Sequence, residues 1–64
     1  MTRRYRVELY NPKELHVEVV RLDATTPELA GKMARSHLIL RCRKLQGRAT
    51  DYRVDAVTDI TRFL

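Results

Sequence analysis

The chain has 64 residues, 44% of them hydrophobic and 33% charged, with a formal net charge of +5 at pH 7. That length sets a single domain over residues 1–64, and the composition excludes a disordered chain. The longest apolar run, Leu38-Ile39-Leu40, excludes a membrane-spanning helix.

A globule of this size buries only about 60% of its unfolded surface, and its core alone supplies roughly 3–5 kcal/mol. Cys42 is the only cysteine, so an internal disulfide is impossible and a reducing cytoplasm is the expected setting. The N-terminus, Met1-Thr-Arg-Arg-Tyr-Arg, is basic but has no apolar stretch behind it, which argues against a signal peptide. Association, as a homodimer or with another protein, is then the expected source of added stability.

Residues 4–10 alternate Tyr5, Val7 and Leu9 with Arg4, Arg6, Glu8 and Tyr10, the pattern of a half-buried strand. Asn11-Pro12 signals a turn. Residues 15–22 alternate again, with Leu15, Val17 and Val19 on one side, so the two runs make a hairpin. Thr26 is suited to cap a helix, Pro27 to begin it, and Glu28 to complement its positive end. That helix lines up Leu29, Ala30, Met33, Ala34, His37 and Leu38 on one stripe, with Lys32, Arg35 and Ser36 opposite.

Residues 38–45 read two ways. As helix they run to Leu45, with Gly47 as the C-cap. As strand they alternate Leu38, Leu40 and Cys42 with Ile39, Arg41 and Arg43. Helix is preferred, because long basic side chains near a helix C-terminus snorkel and favour the dipole. Residues 51–60 are rich in β-branched side chains and form a strand, alternating Tyr52, Val54 and Ala56 with Arg53, Asp55 and Val57.

The expected fold is therefore α+β: a three-stranded antiparallel or mixed sheet with one helix on one face, in ββαβ order. The alternative is ββαββ, if residues 38–45 are a strand. Val7, Leu9, Val17, Val19, Leu29, Met33, Leu38 and Val54 are the expected core. The sheet face without a helix would carry Arg4, Arg6, Glu8, Tyr10, His16, Glu18, Val20 and Leu22, and a partner could dock there.

The charge is uneven. Between Leu29 and Thr50 there is no acid, while Lys32, Arg35, Arg41, Arg43, Lys44 and Arg48 fall in that window. Lys32, Arg35, Arg43 and Arg48, joined by Arg3 and Arg4, form a candidate basic face for phosphates or for an acidic protein surface. Against nucleic acid stands the lack of a helix-turn-helix, a zinc finger or a pair of stacking aromatics. Arg6, Tyr10 and His16 are the candidate contacts on the open sheet face.

No cofactor or metal is expected. His16, His37 and Cys42 lack the spacing of a structural zinc site, which needs four ligands. Ser36 and His37 are neighbours, and adjacent helical residues diverge by about a third of a turn, so they make no nucleophile–base pair. Asp51, Asp55 and Asp59 in a strand sit among solvated side chains. An enzyme is not expected.

The stretch Val19–Ala34, through Ala24, Thr26, Glu28, Ala30 and Ala34, together with the Tyr52-x-Val54 strand, resembles small bacteriophage proteins of ββαβ order that take over host machinery, inhibitors of host RNA polymerase among them. The resemblance implies a binding protein in the bacterial cytoplasm, with a host protein complex such as the transcription machinery as partner. The arginines that touch the polymerase on the final strand of such inhibitors correspond to Ala56 and Thr58 here, so that contact set does not carry over. The sequence thus leads to a small non-enzymatic binding protein that modulates a host complex. A basic nucleic-acid-binding accessory protein is the alternative.

Overall fold

The computed structural model describes residues 1–41 and 48–63. In chain order it contains β1 (Arg3–Asn11), β2 (His16–Ala24), α1 (Pro27–Arg41), a 3-10 turn (Arg48–Asp51), β3 (Arg53–Asp59) and a second 3-10 turn (Thr61–Phe63). The sheet order is β2-β1-β3, and both pairings are antiparallel. The two outer strands therefore run parallel to each other with β1 between them, and α1 is the crossover that joins them. This is the expected α+β, ββαβ architecture, with the sheet antiparallel and not mixed. Residues 38–41 are helical. The rest of the uncertain segment, with Cys42 and the Gly47 cap, lies outside the described residues.

The hairpin is set by its turn. Asn11 is fully buried, and its side-chain oxygen accepts the backbone N–H groups of Lys13 at 2.9 Å and Glu14 at 3.3 Å. This is the local bond by which asparagine favours turns. Leu15 closes the turn at φ 50, and His16 then stands opposite Asn11. The register follows residue by residue: Leu9 faces Glu18, Val7 faces Val20 and Tyr5 faces Leu22.

Partners across an antiparallel pair point to the same side, so the helix-facing set of β2 is His16, Glu18, Val20, Leu22 and Ala24. The expectation that Val17 and Val19 belong to the core is thereby overturned. They remain 48% and 36% exposed. Equally, Val20 and Leu22 are not on the open face; they pack against the core.

The helix begins as expected. Thr26 Oγ1 accepts the Leu29 N–H at 3.1 Å, and the Thr26 carbonyl accepts from Ala30 at 3.0 Å. Its buried face is Ala30, Gly31, Ala34 and Leu38. Leu29 and Met33, expected in the core, are half exposed. The reason is steric. Small residues let the helix axis approach the sheet, so the core volume is filled from below by Tyr5, Val7, Leu9 and Tyr52. A Cβ placed on Gly31 would meet Val54 Cγ2 at 3.4 Å, ordinary contact distance, so the backbone already lies against that side chain.

In β3 the alternation slips. Val57 pairs with Val7 and Ala56 with Glu8, but Leu9 pairs with Val54. Asp55 is the extra residue of a bulge. Val54 and Val57 therefore share the helix side, while Arg53, Ala56 and Thr58 point the other way. Val54, also expected in the core, stays 39% exposed at its margin.

Leu15 adopts a left-handed conformation that costs a residue with a Cβ about 1–2 kcal/mol, and its side chain is 78% exposed. Glycine there loses little packing and removes that cost, against about 0.5–1 kcal/mol of added backbone entropy. Leu15→Gly should raise the urea midpoint, by roughly 0.5–1 kcal/mol in stability; a lower midpoint would show that the turn is not strained.

Candidate protein-binding surface on the open sheet face

The face of the sheet away from α1 is built from rows across three strands. Asp23 lies beside Arg4, Arg21 beside Arg6 and Thr58, Val19 beside Glu8 and Ala56, and Val17 beside Tyr10 and Arg53. No described element covers it. Its apolar members are Val17 and Val19 on the edge strand β2, Tyr10 on β1 and Ala56 on β3, while the central strand also carries Arg4, Arg6 and Glu8.

The charged groups partly satisfy one another. Arg6 and Glu8 form an ion pair within β1. Arg4 Nη1 reaches Asp23 Oδ1 at 3.4 Å across the strands. Arg53 stands over the Tyr10 ring, 6.0 Å from its centroid, a contact worth about 0.5–1 kcal/mol at an exposed site. These pairs place charge along the central strand and leave Val17 and Val19 exposed on the edge strand β2.

Of the sheet-face residues expected from sequence, Arg6 and Tyr10 share this surface, two rows apart. His16 does not. It lies on the helix side of β2, with Nε2 2.8 Å from Glu18 Oε1 and its ring edge-on to buried Tyr52 at 6.3 Å. Sequence reasoning also missed Val17, Val19, Arg21 and Arg53. The doublet Val19-Val20 makes the alternation of β2 ambiguous, and only the buried Ala24, in step with Val20 and Leu22, signals which set turns inward.

Of the residues expected on a basic face, the structure describes the side chains of Lys32, Arg35, Arg3 and Arg4. Lys32 and Arg35 lie on the flank of α1 toward β3, lining a shallow groove of about 340 Å³ with Gly31, Val54 and Val57. Arg35 is used structurally: Nε donates to the Tyr52 carbonyl at 3.2 Å and Nη2 to the Thr50 carbonyl at 3.0 Å, tying α1 to the start of β3. Arg3 Nε is bound to Asp59 Oδ2 at 2.7 Å, near the other end of that strand. Arg43 lies outside the described residues, and Arg48 is described only as the first residue of a 3-10 turn.

The three spaced aspartates are dispersed. Asp51 pairs with Lys13 at 3.3 Å, Asp55 is the bulge residue, and Asp59 belongs to a small closure at the sheet end. Among the described residues no three potential metal ligands converge, and no helix is long and apolar enough to cross a membrane. Ser36 and His37 are exposed on the helix, beside Lys32, Met33 and Leu40.

Comparison with known proteins adds no relative: no family model, curated protein or solved structure matches the chain.

The closure around Asp59 fixes the strand ends. Its Oδ1 accepts the Thr61 hydroxyl at 2.6 Å and the Thr61 N–H at 2.9 Å, while Thr61 Oγ1 accepts the Arg4 N–H at 2.9 Å. The Thr61 hydroxyl, then its backbone N–H, and then Arg3 hold the Asp59 carboxyl below the ordinary carboxylate range. A pKa depressed by folding gives stabilisation that is complete above the unfolded value, near 4, and is lost as pH falls through the folded value. A carbon-detected NMR titration should find Asp59 below the ordinary aspartate value near 4, and Thr61→Val should return it toward that value. An unchanged Asp59 in that variant would contradict the assignment.

Proposed function

We propose that this protein is a non-enzymatic binding domain that docks on another protein through its open sheet face. The observation that carries this reading is the exposure of Val17 and Val19, beside Tyr10, on a face that no described element covers. Burying such a patch against a partner supplies the stabilisation that a core of this size lacks. An aromatic flanked by arginines is also the composition favoured at the centres of protein interfaces.

The resemblance of Val19–Ala34 to phage takeover proteins supports the class of partner: a host protein complex, such as the transcription machinery, whose activity is modulated by occupancy. The rival reading, phosphate binding by Lys32, Arg35, Arg43 and Arg48, has less support, because the Arg35 guanidinium is already bonded to two carbonyl oxygens. It requires binding that weakens steeply with salt, in proportion to the phosphates neutralised.

The test is affinity capture from a nuclease-treated bacterial lysate with the wild type and a Val17→Asp/Val19→Asp double variant. Both side chains are exposed, so the variant should keep the wild-type circular dichroism spectrum while losing the retained protein. Retention by the folded variant, or loss of all retained protein on nuclease treatment, would contradict the proposal.

A further inference from the structure

The charges of the open face do not balance. Glu8 is held by Arg6, and Asp23 by Arg4. Among the described residues Arg21 makes no ion pair, and Arg53 has its contact with the Tyr10 ring. The register sets Arg21 directly opposite Arg6 in the neighbouring strand. Like charges so placed are destabilising, and the two carboxylates that border this row, Asp23 and Glu8, are engaged by Arg4 and Arg6. Beside this pair, on the same edge strand as Arg21, lie the exposed Val17 and Val19.

Building on the open-face reading, we infer that the partner surface is acidic. One carboxylate enters between Arg6 and Arg21, a second meets Arg53, and an apolar side chain between them seats on Val17 and Val19. The guanidinium fork binds a carboxylate with two parallel hydrogen bonds, and a carboxylate between two arginines turns their repulsion into attraction. A nucleic acid is the poorer fit. Tyr10 is the aromatic residue of this face, and Arg53 already occupies the ring surface on which a base would stack.

The probes are a capped peptide, Glu-Val-Glu-Val-Glu, and an oligothymidylate of equal charge, each titrated into the isotope-labelled protein and followed by NMR. The peptide should shift Arg6, Val17, Val19 and Arg21, and Arg21→Glu should weaken it by about tenfold or more. The same variant, now placing a glutamate opposite Arg6, should melt at a higher temperature than the wild type. A residue that only held the fold together would move the melting temperature the other way. Peptide binding unchanged by Arg21→Glu, a lower melting temperature of that variant, or tighter binding of the oligothymidylate at the same residues would each overturn the inference. The outcomes separate from those of the docking proposal. If Val17→Asp/Val19→Asp releases the captured protein and Arg21→Glu does not, docking on this face stands and its acidic partner falls.

Discussion

Asn11 accepts two backbone N–H bonds of the turn that follows it, and that turn decides which side of the sheet every residue of β2 faces. Side chains alternate along a strand, so a slip of one residue would exchange the two faces completely. With Leu15 in the left-handed region and His16 opposite Asn11, Val20 and Leu22 turn to the helix and Val17 and Val19 to the open side. The Asn11 side chain is buried, and its Nδ2 finds no acceptor among the described residues. Leaving such a donor unmet costs about 1–3 kcal/mol. A strained leucine and an unmet amide in one hairpin show that this domain holds its register at the expense of stability.

The second constraint is the close approach of α1. Ala30, Gly31 and Ala34 bring the helix down onto Tyr5, Val7 and Leu9, and Leu38 is the large helical side chain fully enclosed. Sealing the helix this way leaves Leu29, Met33 and Leu40 partly in water. Arg35 then anchors the helix to the strand that follows, which turns a residue expected on a binding face into a tie between elements. Among the described residues the core is thin, and several large apolar side chains lie outside it.

Element types and their order were legible from periodicity, from Asn11-Pro12 and from the Thr26-Pro27 cap, because those signals are local. What was not legible depended on long-range geometry. The inward set of β2 could not be chosen from Val17, Val19, Val20 and Leu22 alone, since both parities are apolar. The Asp55 bulge is invisible in an alternating run, yet it moves Val57 to the helix side. The burial of the helix followed side-chain size as well as hydrophobicity, so alanines and a glycine displaced a leucine and a methionine from the contact. On the candidate site, Arg6 and Tyr10 followed from the alternation of β1, which is unambiguous. His16 failed with the parity of β2, and Arg21 went unseen for the same reason; the alternation of β3 did set Arg53 opposite Val54.

The functional account rests on which residues occupy the open face, so the most direct measurement is the solvent accessibility of the valine and leucine methyl groups. Methyl NMR spectra recorded with a soluble paramagnetic gadolinium chelate report it residue by residue. The account requires strong broadening of Val17 and Val19 with Val7 and Leu9 protected. Protection of Val17 and Val19 comparable to that of Val7 would place them in the core, reverse the faces of β2 and remove the basis for docking through this surface.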